Sequence, residues 1–198
     1  MTTISNMKYI FLFVLSILFF NLEAQAATIT TRQTGNWSDK STWNGGIVPT
    51  ASDDVVIGKD FKVTINKNNC KAKSLELSGT LINSDNCQLE ISSDFIIINS
   101  GYINYGSGNA ERTIIVHGDM NIVKCSFRTG NRASLEIGGD INITNITWQG
   151  NGTSFYNFKF TGNHQQNINL KNASLNVYNL TINNTSCNYG DNSQGVHI

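Results

Sequence analysis

The amino-acid sequence predicts an all-β fold, a right-handed parallel β-helix (a β-solenoid) closed at its N-terminal end by a cap. Three observations predict it. Leu89–Ile97, Ile114–Ile122 and Leu135–Ile143 are near copies of one another, each reading as two short alternating strands around a corner of small residues and an aspartate. The corner aspartates Asp94, Asp119 and Asp140 recur at a nearly constant interval, and a weaker copy at Phe158–Asn163 puts Asn163 one such interval further on. Fixed periods of about 20 to 50 residues mark solenoids and arrays. The repeated unit alternates with period two and shows no helical spacing, so its apolar residues line one face of a strand. Charged residues make up only 14% of the chain, and the polar surface is carried by Asn, Ser, Thr and Gly. Asn and Gly tolerate left-handed backbone, which suits a chain that turns every few residues.

Residues 1–26 stand outside the fold. Lys8 opens a short basic region, Tyr9 to Phe20 is an apolar run of 12 residues, and Ala24-Gln25-Ala26 is a small-x-small cleavage signal. This is the layout of a secretory signal peptide. The run is shorter than the roughly 20 residues that span a bilayer, and no later segment is long and apolar enough to cross one. The mature chain is expected to begin at Ala27, with no membrane span after cleavage. Without Lys8 and Glu23 it carries thirteen basic and thirteen acidic residues. Such a balance offers no field for nucleic acid or an anionic membrane.

Residues 27–73 read as a tryptophan-containing cap and first strands. Trp37 and Trp43 lie in a loop bounded by Gly35, Gly45, Gly46 and Pro49, and the segments Asp53–Ile57 and Phe61–Ile65 follow. The end rung of a solenoid has nothing stacked on it, so its terminal repeats are atypical. Residues 74–198 read as the rungs. Leu75-Glu76-Leu77 and Thr80-Leu81-Ile82 open them, and Leu89, Ile91, Leu135, Ile137, Ile141 and Ile143 are the expected inward residues. Leu175–Ile182 is still strand-like, and Gly190–Ile198 shows no cap motif, so an incomplete last rung of a longer surface protein is expected.

The segment from Gly35 to Ile65 resembles the opening of the G8 domain, named for its glycines and found in large bacterial surface proteins. The pattern G-x-W-x-x-x-x-T-W-x-G-G-x-V-P is met by Gly35, Trp37, Thr42, Trp43, Gly45, Gly46, Val48 and Pro49, followed by Asp53–Ile57 and Val63–Ile65. Phe160–Ile168 and Val177–Asn184 are similar to the F-x-G-x-x-x-Q-x-I and F-x-N-L-T-I-N-N repeats of the same proteins. The resemblance implies a secreted or cell-surface protein, often exported by the type IX system. It assigns no activity, since fold does not imply function.

Several residues are candidates for chemistry. Asp53 and Asp54 are adjacent and would point to opposite strand faces, which suits a turn, with a calcium ligand set as the alternative, better than a catalytic pair. Asp94, Asp119 and Asp140 would stack at one corner about 4.8 Å apart. Each is expected to accept hydrogen bonds from its own turn, with calcium as the alternative partner; no other cofactor is expected. His117, His164 and His197 fit no metal spacing. Cys70, Cys87, Cys125 and Cys187 allow two disulfides in an exported chain, and Cys70–Cys87 is the first pair expected.

Flat aromatic rings beside amide side chains suit sugars, each of which has an apolar face and a ring of hydroxyls. Trp37, Trp43, Trp148 and Tyr156 are aromatic candidates, the first two more in keeping with cap core. Tyr102, Asn104 and Tyr105, in the Gly-rich insertion Gly101–Gly108, are the expected exposed glycan-binding residues. Insertions on one side of a solenoid often carry binding. A P-loop, a nucleophile elbow and a zinc-protease motif are all absent.

The expected function is a secreted or cell-surface structural and adhesion module, without catalytic activity, that contacts a polysaccharide or a host or matrix surface. The alternative is a carbohydrate-active enzyme or its ancillary domain. Such an enzyme needs acidic and basic residues gathered on one face over two or three rungs, and the repeats show only the corner aspartates.

Overall fold

A computed structural model of the chain describes residues 27–105, 110–128, 132–146, 155–173, 175, 177–185 and 196–197. The leader 1–26, the glycines of the loop after Tyr105, Trp148, Cys187 and the tail 190–195 lie outside the described residues, as does the side chain of Tyr156.

The strands are short because the chain turns a corner every few residues. In order they are β1 (Thr28–Thr30), β2 (Gly35–Asn36), β3 (Asp54–Ile57), β4 (Lys62–Ile65), β5 (Cys70–Ala72), β6 (Ser74–Leu77), β7 (Thr80–Asn83), β8 (Cys87–Ile91), β9 (Phe95–Ile97) and β10 (Tyr102–Asn104). They continue as β11 (Arg112–Val116), β12 (Met120–Val123), β13 (Ser126–Arg128), β14 (Ala133–Ile137), β15 (Ile141–Thr144), β16 (Phe155–Phe160), β17 (Gln166–Lys171), β18 (Val177–Ile182) and β19 (Val196–His197). Three sheets collect them. An eight-stranded sheet runs β1-β3-β6-β9-β12-β15-β17-β19, a five-stranded sheet runs β2-β4-β7-β10-β13, and a six-stranded sheet runs β5-β8-β11-β14-β16-β18. Every pairing within them is parallel. The fold is therefore a parallel β-solenoid of about six turns. The first strands of residues 27–73 already make a full turn, β3-β4-β5.

Period-two alternation becomes vertical stacking. Leu89, Ile114, Leu135, Phe158 and Leu180 are in register across the six-stranded sheet, and so are Ile91, Val116, Ile137, Phe160 and Ile182. All but the last of each column are buried. Leu180 and Ile182 are exposed because nothing among the described residues stacks on them. Buried polar residues interrupt the apolar rule at Asn83, Arg112 and Gln166. Arg112 is buried in the column between Cys87 and Ala133, whose small side chains leave it room. Its guanidinium pairs with Asp85 Oδ1 and donates to Ala110 O at 3.1 Å.

The corner between the six- and eight-stranded sheets explains the repeated motif. Asp94, Asp119, Asp140 and Asn167 form one column, and the aspartates each reach the rung above. Asp119 N donates to Asp94 Oδ1 at 2.9 Å, Asp140 N to Asp119 Oδ1 at 2.8 Å, and Asn167 N to Asp140 Oδ1 at 2.8 Å. The donors come from the next turn and not, as expected, from each aspartate's own. The same stacking dictates the preceding glycines. A Cβ on Gly118 would overlap Asp94 Oδ1, and one on Gly139 would overlap Asp119 Oδ1. The fourth copy is corrected here: Asn167, and not Asn163, occupies the column. Four extra residues, Gly162–Gln165, bulge out, and buried Gln166 ties them down by accepting from Gly162 N and donating to Ile137 O and Gly139 O.

The cap is built from the motif residues. Trp37 and Trp43 are fully buried and pack edge to face with centroids 5.1 Å apart, and Trp43 Nε1 donates to Trp37 O at 2.8 Å. Gly45 and Gly46 turn the chain with φ of 78° and 66°, a region open to glycine.

The expected Cys70–Cys87 disulfide is not formed; both are free thiols, as is Cys125. Cys70 pairs in register with Leu89, leaving Cys87 two residues out of step. Each thiol turns to its own loop, Cys70 Sγ to Lys67 O and Cys87 Sγ to Asp85 O, both at 3.4 Å. Burial raises the pKa of both, and pushes that of Cys125 up to about 12. A raised pKa lowers the share of thiolate, the nucleophilic form.

Candidate functional site

The outer face of the six-stranded sheet brings acidic, basic, amide and hydroxyl side chains together. Alternation points every second residue of β5, β8, β11, β14 and β16 outward, and parallel register stacks them. One column is Gln88, Thr113, Ser134, Asn157 and Asn179; its neighbour is Lys71, Glu90, Ile115, Glu136, Lys159 and Thr181. Between them opens a groove of about 370 Å³, with Glu111 and Arg132 at its rim where β11 and β14 begin. Its floor is amide and hydroxyl, with Ile115 as the one apolar patch among its lining residues.

Three carboxylate–cation contacts cross the rungs on this face. Lys71 Nζ lies 3.0 Å from Glu90 Oε2, His117 Nε2 lies 3.0 Å from Glu90 Oε1, and Lys159 Nζ donates to Glu136 Oε1 at 2.7 Å. The hydrogen bond from Lys71, and then that from His117, hold the Glu90 carboxyl below its ordinary range. The uncharged column is bonded too, with Asn157 Nδ2 donating to Ser134 Oγ at 3.2 Å and Asn179 Nδ2 to Asn157 Oδ1 at 3.1 Å.

The residues singled out from sequence lie elsewhere. Tyr102 and Asn104 point outward from β10 on the five-stranded sheet and are half-buried. Tyr105 does not join them: it is fully buried, and its hydroxyl has no hydrogen-bond partner among the described residues. The alternation explains the correction, since Tyr102 is out, Ile103 in, Asn104 out and Tyr105 in. Burial raises its pKa. Asp94, Asp119 and Asp140 sit at the corner described above, each with an oxygen on a backbone N–H. Among the described residues no group of three or more His, Cys, Asp or Glu gathers where it could hold a metal ion. Asp53 and Asp54 serve two different turns. Asp53 Oδ2 accepts from Thr50 N and Oγ1, while Asp54 Oδ1 accepts from Ser74 Oγ at 2.6 Å, the main cause of its lowered pKa.

The groove is what sequence reasoning missed. Glu90, Glu111, Arg132, Glu136 and Lys159 are scattered along the sequence over several turns and meet only through register. The copies Leu89-Glu90-Ile91 and Leu135-Glu136-Ile137 carried the signal, because the outward residue of each is a glutamate at the same place.

Among known families, the model of the G8 domain matches residues 42–148. The chain belongs to the G8 domain family. No curated protein and no solved structure matches it. The G8 domain is an extracellular domain family, and no helix among the described residues is long and apolar enough to cross a membrane. In this G8 domain the match opens inside the cap. A Cβ on Gly35 would overlap Thr42 Oγ1, and that hydroxyl donates to Asn36 O at 2.8 Å. The match covers the second half of the cap motif and the turns that build the groove up to β15.

Proposed function

We propose that this G8 domain is a secreted or cell-surface structural and adhesion module that contacts glycans and carries out no catalysis. The supporting observation is the division of its polar side chains. Amides and hydroxyls form flat outward columns, while Glu90 and Glu136 are tied to cations and Asp94, Asp119 and Asp140 to backbone donors. Amide and hydroxyl columns suit the hydroxyl ring of a sugar. A glycoside hydrolase instead needs one carboxyl kept protonated by an environment that raises its pKa. Here Glu90 is pushed the other way and Glu136 is paired with Lys159.

Secretion is proposed from the leader 1–26, with cleavage after Ala26. A glycan-array screen of the secreted chain, followed by a reducing-end assay on every glycan bound, tests the whole reading. Selective binding without release of reducing ends is the expected result. Release of reducing ends would establish the carbohydrate-active enzyme instead, and the sequence of the secreted N-terminus checks the cleavage point.

A further inference from the structure

We infer that the groove on the six-stranded sheet binds a linear, neutral polysaccharide lying along the solenoid axis, one sugar unit to each rung. The inference rests on the glycan-contacting reading proposed above and fixes its place and its sugar class.

The geometry carries it. Gln88, Thr113, Ser134 and Asn157 present one amide or hydroxyl from each of four successive strands, in register and on the same line. Parallel strands are spaced about 4.8 Å apart, close to the length that one hexose adds to an extended chain. A linear polymer laid across the strands therefore meets an equivalent polar group at each unit. A polymer laid along a strand meets only two before the corner. Ile115 lies in the neighbouring column, between Glu90 and Glu136, where the apolar face of a ring would rest. The occupant lies on the face of the sheet and not at its edge, so an added peptide strand finds no backbone donors or acceptors there.

Charge sets the class. The groove lining holds Glu111 and Glu136 against Arg132 and Lys159, and Lys159 is already bound to Glu136. The lining has no net charge to attract a polyanion or a polycation, so a neutral polymer fits and its binding is expected to change little with salt. The polar groups of the floor are partly engaged with one another, yet each hydroxyl and amide has more than one hydrogen-bonding position. They can hold the ladder and a ligand together.

The experiment is isothermal titration of the mature chain with neutral oligosaccharides of increasing length, with an oligouronate as the anionic probe. Affinity for the best neutral oligomer should rise up to about four units, the number of strands lining the groove, and then level off. The Gln88→Ala/Thr113→Ala double variant should weaken binding about fivefold to tenfold, as loss of one or two net hydrogen bonds implies. Ser134→Tyr, which fills the groove, should abolish it. Tyr102→Ala, on a different sheet, should leave it unchanged.

Binding that survives Ser134→Tyr but is lost in Tyr102→Ala would overturn the groove while keeping the glycan reading. Preference for the oligouronate, or steep salt dependence, would overturn the neutral class. No binding of any glycan by the folded wild type would remove both readings together. The length dependence is measured on the wild type alone, so a variant that folds poorly does not leave the inference without a test.

Discussion

Tyr105 shows how little of a residue's role lies in its own chemistry. Its glycine-rich surroundings suggest exposure, but its place in the strand alternation turns it inward, where its hydroxyl finds no partner among the described residues. Leaving a buried hydroxyl unpaired costs about 1–3 kcal/mol. Tyr105→Phe removes that group and keeps the ring, so it should be neutral or stabilising by about 1 kcal/mol in urea unfolding. A loss of more than about 1 kcal/mol would show that the hydroxyl has a partner. Arg112 is the opposite case, a buried cation made tolerable by small neighbours at Cys87 and Ala133 and by Asp85 at the surface. Nothing in its local sequence announces this. The small residues that make room for it stand one turn before it and one turn after.

At the scale of the element, the corner column is the unit to test. Asp119 Oδ1 accepts from Asp140 N, so Asp119→Ala should cost about 1–2 kcal/mol by leaving that N–H without its acceptor. Asp119→Asn keeps an oxygen in place and relieves like charges stacked above one another, and its unfolding midpoint should stay close to that of the wild type. EDTA should leave the wild-type midpoint unchanged; a fall on chelation, restored by calcium, would show that the column binds the ion.

The cross-rung pair at Glu90 predicts a pH dependence. Its folded pKa is depressed below the ordinary 4.5, chiefly by Lys71 and then by His117. A depressed carboxylate contributes stability that is fully present above its unfolded pKa and is lost as pH falls through the folded one. Melting temperature followed from neutral pH to about pH 3 should therefore fall less steeply in Glu90→Gln than in the wild type. Equal slopes would mean that other carboxylates govern the acid limb. Element positions were largely legible. The alternation and the small-residue-Asp corner located the strand pairs β8–β9, β11–β12 and β14–β15 directly. The fourth corner was misplaced, at Asn163 in place of Asn167, because a bulge held by Gln166 preserves no spacing.

For the whole molecule, the N-terminal cap is the part to test, because it covers the end of the apolar columns. Trp43 is fully buried against Trp37, and Ile29 on β1 joins the same core, covering the first complete turn. Trp43→Ala should destabilise the chain by about 3–5 kcal/mol in denaturant unfolding, the range for deleting a buried aromatic ring. A change below about 1 kcal/mol would mean that the first turn holds its own end without the cap. Among the described residues, Leu170 on β17 and Leu180 and Ile182 on β18 are exposed.

By itself, the sequence determined the all-β solenoid, its strand-and-corner repeat, the inward residues of each copy and the tryptophan cap. These depend on period-two alternation, on glycine where backbone passes close and on a compact motif, all of which lie within a few neighbouring residues. Only the tertiary structure decided which outward residues share a face, that Asp94, Asp119 and Asp140 bond to the turn above and not to their own, that Cys70 and Cys87 stand out of step, and that a polar groove exists. Those features depend on the number of residues in each turn, and loops that vary in length move the register between turns without changing the pattern inside any strand.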